Sequence, residues 1–170
     1  MSALSRAPWI CLPLATELGE FQAGYSDAGL AALHFPSDKT VSTLAEPASA
    51  PARIQQWHRV TTEAVTEILA GRKPKALPPF DLSRGTEFQQ RVWRAMTRIP
   101  LGRTRTYGEL ASAIGKPKAV RAVGGACGAN PIPVLVPCHR VLAAKHKIGG
   151  FSGGLERKFE LLKREGVSLI

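Results

Sequence analysis

Between Lys73 and Gly85 the chain reads KPKALPPFDLSRG, and this stretch constrains the fold more than any other. Prolines at 74, 78 and 79 fix φ and remove backbone donors, so no helix runs through it. A domain boundary is expected here, with residues 1–82 as an N-terminal α/β structural unit and residues 83–170 as a second unit.

The patterns on the two sides differ. Trp9–Phe35 reads as short strands, punctuated by turns at Leu18-Gly19 and at Ser26-Asp27-Ala28-Gly29. PSDKTVSTLAEPASAPAR, from Pro36 to Arg53, is rich in Pro, Ser and Ala and reads as a loop. From Ile54 to Leu69 the apolar positions Ile54, Trp57, Val60, Ala64, Val65 and Ile68 keep a helical period, which Gly71 ends. The first unit is therefore a small β-sheet with one helix, and nothing in it looks catalytic.

The second unit opens on a capping box, Thr86 with Gln89, ahead of the apolar stripe Phe88, Val92, Trp93, Met96 and Ile99. Pro100-Leu101-Gly102 stops that helix. Thr106 and Glu109 form a second capping box and start a short helix that ends at Gly115. Pro117 is expected to open the next one, KAVRAVGGACGAN. A short helix, a glycine turn and a second helix make a helix-turn-helix pattern. The expected class is α+β, a small sheet-and-helix domain packed on a mostly helical domain.

The last of these helices is small-sided, with Ala119, Ala122, Gly124, Gly125 and Ala126. Each glycine inside a helix costs about 1 kcal/mol against alanine. Close approach by something bulky accounts for that cost, either DNA or another packed helix. Lys118 and Arg121 stand out from this bare surface, and an arginine on a slim helix can reach into a groove or fill a gap in the base stack.

Charge points the same way. Residues 1–82 carry seven basic and eight acidic side chains, a net −1, whereas residues 83–170 carry sixteen and five, a net +11. Such asymmetry suits a half that meets a polyanion. With 44% apolar residues the chain buries a core without disulfides or metal. Three cysteines, Cys11, Cys127 and Cys138, form no disulfide framework and fit a reducing compartment. Pro8, Pro13, Glu17 and Glu20 interrupt the apolar N-terminal patch, so no signal peptide or membrane span is expected, and the protein is expected to be soluble and cytoplasmic.

The chemistry concentrates in VLVPCHRVLAAKHKIGGFSGGLERK, Val134 to Lys158. Pro137 stiffens the chain before Cys138, and His139 and Arg140 are unusual neighbours for an inert core thiol. A paired histidine or a nearby cation makes a thiol nucleophilic. Adjacent residues on an extended chain face opposite ways, so a contact between His139 and Cys138 requires a turn or a bridging water. The other readings are a buried structural cysteine, a zinc site and a cysteine hydrolase. No CxxC or HxxxH spacing exists, and Cys11, His34 and His58 are scattered.

PCHRV at Pro137–Val141 resembles the active-site signature of the O6-alkylguanine-DNA alkyltransferases. FQQRVWRAMTRIPLGRTRTYGELA, RAVGGACGANPIP and FSGGLERK also resemble blocks of that family, in order, over residues 83–166. The resemblance implies that Cys138 accepts the alkyl group, that His139 takes its proton through a water, and that Glu165 orients His139. It implies that Asn130 shapes the turn, that Tyr107 assists the departing guanine, and that Arg121 replaces the flipped nucleotide. Ser152 would bond near the substrate oxygen, the carbonyls of Cys138 and Val141 would read the guanine amine, and Pro133 and Phe151 would wall the pocket. Lys118, Ala119, Gly124 and Gly125 would meet double-stranded DNA through its minor groove. Phe151 stands where many relatives carry tyrosine, and Cys127 where bulkier residues are common. The zinc ligands of some relatives are absent, so neither metal nor cofactor is expected, and the protein is expected to act as a monomer. The implied activity is suicidal transfer of the alkyl group from O6-alkylguanine, with O4-alkylthymine as a further candidate. The alternative is a DNA-binding protein, a lesion flagger or regulator, in which Cys138 is structural or sensory.

Overall fold

The structure, a computed structural model, describes residues 9–38 and 43–169. The readings of residues 1–8 and of the loop at 39–42 lie outside the described residues.

Three antiparallel strands form the sheet in the order β1 (Ile10–Thr16), β2 (Gly19–Ser26) and β3 (Gly29–His34). Both hairpins turn where the sequence placed them: Thr16 pairs with Gly19, and Ser26 with Gly29. Alternation puts Leu12 and Leu14 of β1, and Phe21, Ala23 and Tyr25 of β2, on the buried face. Helix α1 (Ala52–Leu69) covers that face with Ile54, Ala64, Val65 and Ile68. His58 ties the two layers, its Nδ1 lying 2.9 Å from the Tyr25 hydroxyl and its Nε2 3.0 Å from the Pro13 carbonyl.

The proline-rich stretch is more than a spacer. Leu30 N–H donates to Pro79 O and Asp81 N–H to Leu30 O, both at 2.8 Å, so residues 79–81 cover the edge of β3. Further along that strand Leu33 N–H donates to Pro131 O at 2.9 Å, which ties the sheet to the segment leading to Cys138. The buried core is continuous from β1–β3 and α1 to Val92, Trp93, Val123, Ile132 and Cys138.

Both capping boxes form. Thr86 and Gln89 open α2 (Glu87–Met96), and Thr106 and Glu109 open α3 (Tyr107–Ala113). Helix α4 (Val120–Gly128) starts later than expected, because Lys116–Ala119 closes a turn of its own, with Ala119 N–H donating to Lys116 O at 2.8 Å. Trp93 Nε1 donates to Ala126 O at 2.7 Å and pins α2 to α4. A parallel pair of two-residue strands, β4 (Arg105–Thr106) and β5 (Val141–Leu142), went unseen in the sequence. It sets the start of α3 beside the segment that follows Cys138. Helix α5 (Leu155–Arg164) completes the fold, and the end of α1 meets it. Gly71 sits there at φ +73°, where a β-carbon would lie 2.2 Å from Arg164 O.

Candidate active site

Ile132, Val134, Leu135 and Val136 are buried, and they form a tight turn rather than a strand. Asn130 holds it: Nδ2 donates to Val136 O at 2.7 Å, and Oδ1 accepts from Ile132 N–H at 3.0 Å. Val134 adopts φ +73°, a strained conformation for a β-branched residue. The chain then enters a single 3₁₀ turn, Cys138–Arg140, with all three residues buried. The turn does not join the two side chains by a hydrogen bond, since His139 Nε2 is directed at Glu165 and its Nδ1 has no partner among the described residues.

His139, fully buried, directs Nε2 at Glu165 Oε1, 2.7 Å away. An ionised carboxylate only accepts, so Nε2 carries the proton and Nδ1 is the acceptor. Among the described residues, His139 Nδ1 is a buried side-chain atom without a hydrogen-bond partner. Arg140 grips the same carboxylate, with Nε 2.9 Å from Oε2 and Nη2 2.9 Å from Oε1, while its Nη1 donates to Ile99 O at 2.7 Å. Burial pushes Glu165 up, yet the bonds and charges of His139 and Arg140 outweigh it and bring its pKa down to about 2. Burial pushes His139 below its usual range, against the pull of Glu165, so the ring rests neutral.

Burial also pushes the Cys138 thiol up, opposed by the Asn130 amide, by the charge of Lys158 and by backbone N–H groups of Cys138 and His139. The resting group is a thiol. Lys158 is fully buried, and its Nζ donates to Val141 O at 2.7 Å and Gly150 O at 2.9 Å. Burial lowers its pKa to about 8, against the nearby thiols.

A cavity of about 260 Å³ opens at the sulfur, lined by Tyr107, Gly124, Cys127, Gly128, Cys138, Gly150, Phe151 and Ser152. Tyr107 is the first residue of α3, and its hydroxyl makes a long bond of 3.4 Å to Gly150 O. Burial pushes Tyr107 up, and the neighbouring thiols add to the effect. Phe151 packs edge-on against Phe35, with centroids 6.3 Å apart. Cys127 packs inward, its Sγ 3.5 Å from Met96 Sδ.

The fold thus gathers Cys138, Tyr107, Phe151 and Ser152 at one cavity, with His139, Glu165 and Asn130 supporting the turn behind it. Pro133 is half-buried and stands outside the lining set, and the Val141 carbonyl is already engaged by Lys158. Lys118 and Arg121 are exposed at the start of the helix-turn-helix's second helix, and Ala119 is its half-buried N-cap. A β-carbon on Gly124, Gly125 or Gly128 would meet nothing within 4 Å. No packed helix therefore explains these glycines, whereas Val123, Ala126 and Cys127 fill the inner face. Among the described residues no three His, Cys, Asp or Glu side chains converge as a metal site, and no helix is long and apolar enough to cross a membrane.

Two supporting residues escaped sequence reasoning. Arg140 had a signal, since a cation beside the histidine calls for a shared anion. Lys158 had none, being one more cation on an amphipathic helix.

Comparison with known proteins agrees with this geometry. Residues 87–167 match the family model described as 6-O-methylguanine DNA methyltransferase, DNA binding domain. The chain is 55% identical over 92 residues to the methylated-DNA–protein-cysteine methyltransferase of Mycobacterium tuberculosis, covering 52% of this chain and 56% of that protein. The alignment thus spans little more than half of that relative. A protein of the same name from Methanosarcina acetivorans is 55% identical over 115 residues, covering 66% of this chain and 71% of the relative. The crystal structure of Mycobacterium tuberculosis OGT in complex with DNA superposes with a TM-score of 0.77 at 35% identity, over 92% of each chain. The chain belongs to the O6-alkylguanine-DNA alkyltransferase family, the methylated-DNA–protein-cysteine methyltransferases.

Proposed function

We propose that this protein repairs DNA by moving the alkyl group of O6-alkylguanine onto Cys138, once per molecule. The carrying observation is that one cavity is lined both by Cys138 and by Gly124 and Gly128 of α4. The reacting sulfur and the bare face of the helix-turn-helix meet in the same hollow. A duplex docked on α4 through its minor groove, and an alkylated base extruded from it, would converge there.

The residues supply each part of the displacement. The Cys138 sulfur attacks the alkyl carbon, an S–C bond forms and the O6–C bond breaks. The thiol proton passes, through a water, to His139 Nδ1, the buried nitrogen without a hydrogen-bond partner among the described residues. Glu165 accepts from Nε2–H and stabilises the imidazolium that results. Tyr107, at the cavity wall, donates a hydrogen bond to the departing guanine as charge builds on it. Ser152 and the carbonyls of Cys138 and Val141 read the base, Val141 O with the lone pair that Lys158 leaves free, and Phe151 bounds it, with Pro133, outside the lining itself, on the turn that Asn130 holds. Lys118, Ala119, Gly124 and Gly125 bear on the DNA, and exposed Arg121 fills the gap left by the flipped nucleotide. The product is a thioether with no hydrolytic exit, so the reaction is stoichiometric.

One chain carries the full set of groups, and the protein acts as a monomer in the compartment that holds the DNA. O4-alkylthymine offers the same kind of alkyl–oxygen bond and is the second substrate. The test is intact mass after incubation with duplex DNA containing O6-methylguanine. A gain of one methyl, lost in Cys138→Ala, is expected. Unchanged mass with DNA binding preserved would leave only a lesion binder.

A further inference from the structure

A second hollow lies outside this site. Its volume is about 520 Å³, and it is lined by Arg91 and Arg94 of α2, Arg98 of the turn that follows α2, and Arg105 of β4. Its floor is made of small or aliphatic side chains, among them Ala95 and Leu110, and Glu109 is its one carboxylate. Four arginines against one glutamate leave it at +3. Glu109 is already committed to the α3 cap, where Oε2 accepts from Thr106 N–H at 2.6 Å. Arg91 donates to Ile114 O at 2.7 Å, closing the C-terminal end of α3, and Arg94 reaches Gln90 Oε1 at 3.1 Å. The side chains of Arg98 and Arg105 have no hydrogen bond or ion pair among the described residues. Exposed arginines set along one hollow repel each other, so the arrangement suits an anion from outside.

We propose that this hollow is a second DNA contact, which takes the phosphodiester backbone of the same duplex where it runs past the lesion. The inference rests on the DNA reading above. Arg91 and Arg94 lie about one turn apart on α2 and Arg98 follows two residues beyond its end, a spacing of about 10 Å at helical rise. A DNA strand presents a phosphate per ~3.4 Å of axis, so the row matches about three of them. The guanidinium fork suits phosphate oxygens. No aromatic side chain lines the hollow, which argues against a single strand held by base stacking. The opposite wall is α3, the first helix of the helix-turn-helix, and in that motif the first helix crosses the backbone. Phosphates beside α3 therefore continue the contact made at α4. An acidic peptide would answer the charge but not this continuity.

The experiment compares wild type with the triple variant Arg94→Gln/Arg98→Gln/Arg105→Gln. Arg91 is kept because it closes α3. A charge-matched control carries Arg59→Gln/Lys73→Gln/Lys75→Gln in the first half of the chain. Binding to a long O6-methylguanine duplex is measured against salt concentration, and methyl transfer is measured from free O6-methylguanine base. The triple variant is expected to lose about 2–3 from the slope of log K against log salt, about 0.9 per lost phosphate contact. Its transfer from the free base should match wild type, and the control should keep the wild-type slope. An unchanged slope in the triple variant overturns the proposal, as does an equal loss in the control. Capture of an acidic peptide that Arg98→Glu abolishes, with DNA affinity intact, also overturns it. Failure of the wild type to bind any duplex is a different result, because it removes the parent reading as well.

Discussion

His139 and Glu165 lie 26 positions apart in the chain and 2.7 Å apart in the structure, between Nε2 and Oε1. That bond decides which ring nitrogen carries the proton. With Nε2–H given to the carboxylate, Nδ1 keeps a lone pair, and burial holds the ring neutral. Arg140 on the same carboxylate keeps it ionised. The protonation pattern of the pair is therefore set by the fold itself, and the cost of burying these groups is offset by mutual hydrogen bonds.

Removing parts of this cluster should separate chemistry from folding. His139→Gln should slow methyl transfer by about 10²–10⁴, the usual worth of a positioned general base. Single-turnover rates on methylated duplex check this, and a wild-type rate would remove His139 from the proton path. Arg140→Met leaves a buried carboxylate short of a partner and should cost about 3–5 kcal/mol in urea unfolding.

Acid should weaken the fold in two steps. Burial lowers the His139 pKa from 6.5, so below that pH the unfolded chain takes up a proton that the native ring refuses. Glu165 drops from 4.5 to about 2 in the folded state, so its contribution is complete above 4.5 and is lost as pH falls toward 2. That second window corresponds to about 3 kcal/mol at 1.36 kcal/mol per pKa unit. Urea midpoints between pH 7 and pH 3 should fall throughout, and Glu165→Gln should flatten the part below 4.5. A curve of wild-type shape in that variant would assign the acid sensitivity elsewhere.

The reactive thiol should titrate late. Burial raises Cys138 above the ordinary 9.0, while Asn130 and Lys158 pull the other way. Carbamidomethylation by iodoacetamide, followed by mass at Cys138, should rise with pH to an inflection above 9.0. Asn130→Ala should move it higher still, since it removes a hydrogen-bonding group that favours thiolate. An inflection at or below the ordinary value would mean that burial does not dominate at this sulfur.

Gly125 offers a test in which stability and function move in opposite directions. A β-carbon there meets nothing within 4 Å, so Gly125→Ala should stabilise α4 by up to about 1 kcal/mol. The same methyl should weaken binding to methylated duplex, because it stands on the surface offered to DNA. Thermal unfolding and duplex titration of the one variant check both halves. A stabilised protein with unchanged DNA affinity would show that this face is not the contact.

Local chemistry was legible in the chain itself. Thr86 with Gln89 and Thr106 with Glu109 marked the starts of α2 and α3, because a capping box is complete within four residues. The turns at Leu18-Gly19 and Ser26–Gly29 were readable for the same reason, and the spacing of Ile54, Ala64, Val65 and Ile68 marked the buried stripe of α1. The motif around Cys138 singled out that sulfur as the candidate alkyl acceptor. Its surroundings depended on contacts that no window of sequence contains. The pairing of β4 with β5 brings Tyr107 to the cavity, Pro79–Asp81 closes the edge of β3, and Arg140 shares Glu165 with His139. Even the late start of α4 follows from a turn whose stability depends on its neighbours. Sequence alone determined the capped starts of α2 and α3, the two hairpin turns and the buried stripe of α1, and it singled out Cys138 as the candidate acceptor, since short-range hydrogen bonding and periodic burial act within a few residues. Only the tertiary structure decided which nitrogen of His139 faces Glu165 and which residues wall the cavity, because those are set by side chains that distant segments bury against one another.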